Sequence, residues 1–388
     1  MDLKELDKKY IANTYGRFDL IMDSGSGSTI YDENGNDYID LGTGIAVNTF
    51  GVCDIEWIKA VGDQMMKLQH TSNLYYSAPQ ILLAELMCKR TGMKKVFFSN
   101  SGAEANECAI KTARKYSSDK YGEGRKTIVT LLGGFHGRTL ATLSATGQEV
   151  FHRHFGPFVD GFRFAEADNI ESLEACIGED VCAVMIEPIQ GEGGVKPLSA
   201  EFVSAIDKLC RERDILLIAD EVQCGNGRSG KLYAYMNYGI EADIVTTAKG
   251  LGGGLPIGAT MFGEKTEGVL GAGDHGSTFG GNPMSCAGAY SILSRIDDEL
   301  LCGVRERHDI AVAELEGADG VLEVSGMGLM LGIKVSGDAK KIAAEALRRG
   351  VIVLTAKDKL RLLPALNIPV DDLKRALGIL KEVISEAK

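Results

Sequence analysis

The stretch DIVTTAKGLGGGLPIGATMFG, residues 243–263, sets two short apolar runs around a single lysine and a cluster of glycines. DIVTTA (243–248) and IGATMFG (257–263) are of strand length and rich in β-branched residues, and Gly and Pro bound them as buried strands are bounded. Working outward, the same pattern recurs in KVFFS (95–99), TIVTLL (127–132), VCAVMIE (181–187) and ILLIAD (215–220). Between these runs, AEANECAIKTARKYS (103–117) and SAEFVSAIDKLCRER (199–213) carry apolar residues at helical spacing and end in basic residues, as helix C-termini prefer. Strands alternating with helices predict an α/β chain built on a mainly parallel sheet.

The flanks read differently. After GGNPMSC (280–286) come a long helical stretch over 284–315, then VLEVSGMGLMLGIKV, a helix near 338–349, GVIVLTA, LRLLPAL and a closing helix, which together predict a smaller α+β part. At the other end, STIYDENGNDYIDL (28–41) predicts two short strands around an Asn34–Gly35 turn. With 45% hydrophobic side chains, 388 residues can bury a large core and divide into two domains. Forty-two basic residues against 54 acidic ones, with no basic block, exclude a phosphate-backbone track, so nucleic acid is not an expected partner. The charged first twenty residues do not read as a signal peptide and no apolar run is long enough to span a bilayer, so a cytoplasmic protein without membrane contact is expected. Nine scattered cysteines without C-x-x-C spacing read as reduced and mostly buried.

In open parallel sheets ligands bind beyond the carboxyl ends of the strands. Three such ends carry distinctive groups. Ser101, Gly102 and Ala103 open a helix straight after a strand, where free N–H groups and the helix dipole suit a phosphate, although taken alone the stretch reads first as a plain helix cap. Asp220 ends an apolar run, with Glu221 beside it, and a buried acid there needs a positive partner, which a structural arginine could also be. Lys249 follows the next strand, where desolvation would favour a neutral, nucleophilic amine, although an exposed lysine at a loop mouth is the default reading of that residue alone. Together an anion cradle, a buried acid and a lysine at successive strand exits describe one ligand, pyridoxal 5'-phosphate: phosphate at the helix end, ring nitrogen on the carboxylate, aldehyde held by Lys249. The rival reading, a nucleotide loop at GAGDHG (271–276), matches G-x-G-x-x-G in letters but is followed by STFGGNP rather than a helix, so a nicotinamide-dependent oxidoreductase is the unlikely alternative.

Ordered motifs along nearly the whole chain carry a resemblance: NTYGRFD, GIAVNTFG, HTSNLYY, FFSNSGAEANE, GFHGRTLATLSATG, EPIQGEGGV, LLIADEVQCGNGRSG, TTAKGLGGGLPIGA, HGSTFGGNP and LRLLPALNI. The sequence resembles the class III (subgroup II) pyridoxal-phosphate-dependent aminotransferases, closest to their acetylornithine aminotransferase branch. The resemblance implies a fold type I transferase with a mainly parallel seven-stranded sheet in a large cofactor-binding domain, 46–289, and a small domain of 1–45 plus 290–388. It implies that Gly102 and Ala103 bind the phosphate, with Thr278 contributing from the partner subunit of a homodimer. Phe135 would stack on the ring, Val222 would pack on its other face, Gln223 would reach the phenolic oxygen, and Asp220 and Lys249 would be catalytic. Arg138 and Ser277 would meet the carboxylate end of N-acetylornithine, and Arg361 that of glutamate or 2-oxoglutarate, with Glu192 as the gate on Arg361. An ordinary ion pair at a domain junction is the simpler reading of Glu192. No metal is expected, and the His152/His154 pair reads as surface.

Two positions bear on substrate. Ile45 stands where ornithine aminotransferases typically carry a tyrosine, which favours the acetylated substrate, although a buried core isoleucine is an equal local reading. Relatives acting on ornithine, succinylornithine, 4-aminobutyrate or lysine-pathway amines share the chemistry. GVCDIE (51–56) replaces the Gly-His-x-His-Pro of most relatives, so a local rearrangement is expected there. His136 reads as lining of the cofactor pocket.

Overall fold

The computed structural model describes residues 2–387. Its centre is a seven-stranded sheet in the order Lys95–Ser99, Gly258–Phe262, Ile244–Thr247, Leu216–Asp220, Val181–Ile186, Thr127–Leu131, Phe162–Ala165. All neighbours run parallel except Gly258–Phe262, which is antiparallel to both of its partners. The six strands read from the sequence are all present. The seventh, Phe162–Ala165, is a four-residue edge strand interrupted by an exposed Arg163, and so it lacks the apolar run that marks the others.

Strand periodicity sorts the core onto two faces. Leu217, Ala219, Val184 and Ile186 pack with Phe202 and Ile206 of the helix Ala200–Arg213. Leu216, Ile218, Ala183 and Met185 pack on the other side with Cys108, Ala109, Ile110 and Ala113 of the helix Gly102–Tyr121. Both faces are covered, which is why these strands read as continuous apolar runs. Ser99, Asp220 and Thr247 then end on one edge, and the antiparallel strand brings its first residue, Gly258, to the same edge opposite Ser99.

The hairpin Thr29–Asp32 with Asp37–Asp40 forms as expected. Gly35 takes φ +83°, and the Asp32 carboxylate accepts from the Asn34 and Asn36 N–H groups, both at 2.9 Å. Val351–Ile352 pairs in parallel with Asp37–Asp40, so both ends of the chain share one sheet. Val321–Met327, Met330–Val335, Lys359–Leu362 and Leu354–Ala356 form a separate antiparallel sheet, backed by Leu373, Leu377, Leu380 and Ile384 of the closing helix Val370–Glu386.

The helical stretch expected over 284–315 is two helices, Pro283–Arg295 and Asp298–Leu315. The break falls where Asp297 turns out of helical geometry and its carboxylate caps the second helix, accepting from Leu300 N at 2.8 Å. At 51–56, Val52 bridges Gly27 through paired backbone hydrogen bonds and Asp54 caps the helix Ile55–Met65 in place of a proline start. The Asp54 carboxylate is also gripped by Arg295 at 2.7 and 3.1 Å. GAGDHG is an exposed turn closed by Gly271 N on Asp274, with no helix for a nucleotide to sit on. Among the described residues no helix is long and apolar enough to cross a membrane.

Candidate active site

Along the carboxyl edge of the sheet lies a cavity of about 450 Å³. Lys249, Asp220, Ser101, Gly102, Ala103, Phe135, Val222, Gln223 and Arg138 all line it, and sequence separations of up to about 150 residues collapse into one site. Ser277, Thr278, Glu192 and Arg361 do not line it.

At the helix end, Ser101 is a helix cap. Its hydroxyl caps the helix by accepting from Glu104 N at 3.2 Å, while Glu104 reaches back to Asn100 N at 2.5 Å. The first N–H groups of the helix, those of Gly102 and Ala103, have no intrahelical acceptor and stand at the cavity wall. A Cβ on Gly102 would meet Val222 Cγ1 at 2.6 Å, so only glycine lets this helix end and Val222 share the wall.

Asp220 is the centre of a buried polar network. Its Oδ2 accepts from Asn106 Nδ2 and His136 Nδ1, each at 2.8 Å, and its Oδ1 accepts from Val222 N at 3.1 Å. Oδ1 therefore keeps acceptor capacity on the cavity side. Asn106 is fixed by a second donation to the His136 carbonyl and by Thr246 Oγ1, which donates to its Oδ1 at 2.6 Å. Burial works against a charged His136, but the hydrogen bond and charge of Asp220 outweigh it and hold the imidazole above its ordinary pKa. The neighbouring Glu187 is pushed up to about 7 by burial. It accepts from Phe135 N at 2.7 Å and Gly191 N at 3.2 Å, tying the two cavity loops to the strand end. Glu221 turns the other way, with its carboxylate taking Ala234 N and Tyr235 N at 2.8 and 2.7 Å, and burial raises it to about 7. It organises the next loop rather than the cavity.

Lys249 sits in the left-handed region at φ +44°. Such a conformation costs a non-glycine residue roughly 1–2 kcal/mol and persists where the surroundings dictate it. Among the described residues its Nζ has no hydrogen bond or ion pair, and burial lowers its pKa towards a neutral amine. Arg138 is likewise unpaired among the described residues: its guanidinium lies over the Phe151 ring at 4.8 Å and the Phe135 ring at 5.9 Å. Arg361 is the opposite case. Its side chain is buried and bonds Glu192 Oε1 at 2.5 Å and Gln223 Oε1 at 3.0 Å, while its Nε has no partner. Gln223 is thus engaged with this pair, its own Nε2 reaching Glu192 at a loose 3.4 Å. Ser277 Oγ accepts from Asn100 Nδ2 and Gly280 N, and Thr278 is exposed.

Pyridoxal phosphate fits these residues. Unspent helix N–H groups, a carboxylate oxygen with a lone pair to spare and an unpaired buried amine all face one cavity.

The family model for class III aminotransferases matches residues 10–384. The chain belongs to the class III aminotransferases. It is 46% identical over 387 residues to the acetylornithine aminotransferase of Haemophilus ducreyi, covering 99% of this chain and 98% of that one. Among solved structures, the N-acetylornithine aminotransferase of Stenotrophomonas maltophilia is 35% identical with a TM-score of 0.84, covering 98% of each chain. The ornithine aminotransferase of Toxoplasma gondii, a structure with partial occupancy of PLP, is 29% identical with a TM-score of 0.94, covering 99% of this chain and 94% of that one. The protein is a pyridoxal-phosphate-dependent aminotransferase of the fold type I kind.

Sequence reasoning missed Asn106 and Glu187 as site residues. Asn106 is a polar residue on the buried face of its helix, between Ala105 and Ala109, and Glu187 ends an apolar strand just as Asp220 does. Either signal could have found them. Ile45 is 41% exposed, which removes the core reading of that residue. His152 is half-buried against Phe158 and bonds the Leu143 carbonyl, so the reading of both histidines as surface residues holds for His154 alone.

Proposed function

We propose that this aminotransferase exchanges the ω-amine of N-acetylornithine with 2-oxoglutarate, giving N-acetylglutamate 5-semialdehyde and glutamate, and runs in reverse in arginine biosynthesis. The observation that carries the reading is the contrast between its two arginines. Arg138 is unpaired on the cavity wall, while Arg361 is buried and covered by Glu192. One substrate carboxylate can be gripped at Arg138 with Glu192 in place, and another at Arg361 once Glu192 withdraws. A guanidinium fixes a carboxylate in position and plane. The name of the Haemophilus relative supports the acetylated substrate. Backbone similarity does not separate acetylornithine from ornithine, since the Toxoplasma structure superposes more closely at lower identity.

When bound, pyridoxal phosphate supplies an aldehyde carbon that exchanges amines and a ring that takes up the electron pair freed at the substrate carbon. Gly102 and Ala103 would hold the phosphate by their N–H groups, and Phe135 and Val222 would flank the ring. Asp220 would keep a proton on the ring nitrogen, and Asn106 and His136 hold its carboxylate for that task. Lys249 would anchor the aldehyde and then, as a free amine, take the proton from the amine-bearing carbon of the substrate. Its lowered pKa suits that role.

The reading includes a homodimer in which Thr278 completes the phosphate site of the other subunit. Leu74, Tyr75, Tyr76 and Phe279 stand exposed, the last directly beside Thr278, and a second copy would cover them. It also divides the chain into 46–289 and 1–45 with 290–388, supported by the strand pairing that joins the two chain ends. Nine unpaired cysteines suit the reducing cytoplasm. The test is the visible absorption of the holoenzyme titrated without keto acid, in separate samples, with N-acetylornithine, ornithine, succinylornithine and 4-aminobutyrate. Conversion at the lowest concentration with N-acetylornithine is expected, and conversion at a lower concentration of another amine would move the enzyme to that substrate.

A further inference from the structure

The loop Gly191–Val195, which carries Glu192, is docked onto the C-terminal antiparallel sheet by a set of contacts outside the cavity. Ser325, Gly332 and Arg361 are lateral neighbours in one row of that sheet, and Glu323, Lys334 and Lys359 form the next row on the same face. Gly332 leaves a notch: a Cβ there would stand 2.8 Å from Val195 Cβ and 3.3 Å from the Gly194 carbonyl oxygen. Into that notch fits Val195, fully buried at φ +52°, a conformation a β-branched residue adopts only under constraint.

Ser325 supplies the constraint, donating to the Val195 carbonyl at 2.9 Å, with the Gly332 carbonyl as its alternative acceptor at 3.3 Å. Lys359 fixes the hydroxyl as the donor to them, and the Val195 carbonyl is the nearer of the two. The Lys359 side chain is only 5% exposed, and its Nζ donates to Glu323 Oε1 and to Ser325 Oγ, each at 2.8 Å. An ammonium has donors alone, so the serine hydroxyl must accept from it and turn its own single proton to a carbonyl. The loop is held at its other end by Gly191 N on Glu187.

We propose that Lys359 is a positioning residue for the exchange of substrates: through Ser325 it holds strained Val195, and so keeps Glu192 over Arg361. This rests on the reading above that Glu192 must leave Arg361 for the dicarboxylate to bind. Loosening the tie lets Glu192 withdraw more readily, which favours the dicarboxylate and leaves the ω-amine untouched.

The experiment uses holoenzyme with Lys359→Met, which keeps the length of the stem, and Ser325→Ala, which removes no charge. Hydrogen exchange is followed in the peptide covering 188–198, and each half-reaction is followed separately by absorbance. Both variants are expected to speed exchange in the loop and to lower the KM for 2-oxoglutarate by about five- to tenfold, the factor one net hydrogen bond commands. The KM and maximal rate for the ω-amine stay as in the parent. Unchanged loop exchange in either variant overturns the proposal, as does a parallel change in both half-reactions. A shift in Lys359→Met without one in Ser325→Ala also overturns it, because the lysine would then act by charge alone. If the parent enzyme does not react with 2-oxoglutarate, the functional reading fails instead, and loop exchange by itself decides whether the tie exists.

Discussion

Adding one methyl group at Gly102 sets two local effects against each other. Gly102 is the first residue of the helix Gly102–Tyr121, where alanine is the better helix former by up to about 1 kcal/mol. Against that, the new Cβ would lie 2.6 Å from Val222 Cγ1 and 2.9 Å from Cγ2. Val222 cannot easily turn aside: a β-branched side chain has few χ1 states, and its backbone N–H is held by Asp220 Oδ1 at 3.1 Å. Val222 lines the cavity where the cofactor ring would lie, so displacing it reshapes that wall. Overpacking of this kind costs about 1–3 kcal/mol, which corresponds to roughly 5- to 150-fold in a dissociation constant. The assay titrates apoenzyme with pyridoxal phosphate in a Lys249→Ala background, so that covalent attachment does not mask the weaker binding. Gly102→Ala is expected to raise Kd by about ten- to a hundredfold, within that overpacking range, while thermal stability changes by less. With Val222→Ala also present both methyl clashes are gone and only the Cβ contact at 3.3 Å remains, so the double variant should bind nearly as Val222→Ala does alone. Unchanged affinity in Gly102→Ala, or strictly additive losses in the double variant, would refute the shared wall.

Three further outcomes are expected. Lys249→Ala should retain pyridoxal phosphate through the helix end and Asp220 but lose turnover and the visible band of the lysine-bound cofactor; normal turnover would remove Lys249 from the mechanism. Arg138→Ala should raise KM for N-acetylornithine by tenfold or more, since a charged hydrogen bond contributes about 1.5–3 kcal/mol, and leave an amine without a carboxylate little affected; equal effects would contradict its role. Glu221, raised from 4.5 to about 7, keeps its proton in the folded state while the unfolded chain loses it, so its contribution to stability is full below about pH 4.5 and is lost as pH rises towards 7. The loss amounts to about 3 kcal/mol, and Glu221→Gln should flatten the fall of apoenzyme Tm between pH 5 and 7; an unchanged slope would show that Glu221 is charged throughout.

The sequence alone determined what is local. Short runs dominated by apolar and β-branched residues mark strands buried on both faces, because no charged alternation interrupts them, and five of the seven central strands are of that kind. The groups at their ends, Asp220, Lys249 and Gly102, are chemically distinctive enough to suggest a ligand before any contact is known. The edge strand Phe162–Ala165 and the break at Asp297 escaped, since a short edge strand needs little hydrophobicity and a capping aspartate looks like any other acid inside an amphipathic stretch. Tertiary structure alone decided which partners those groups keep. That Asn106 and His136 hold Asp220, that Arg361 is covered while Arg138 stands unpaired, and that Lys359 reaches the Glu192 loop through Ser325 are contacts across 30 to 170 positions of chain. Hydrogen bonds and ion pairs act over about 3 Å, and which groups approach that closely is fixed only once the sheets have packed.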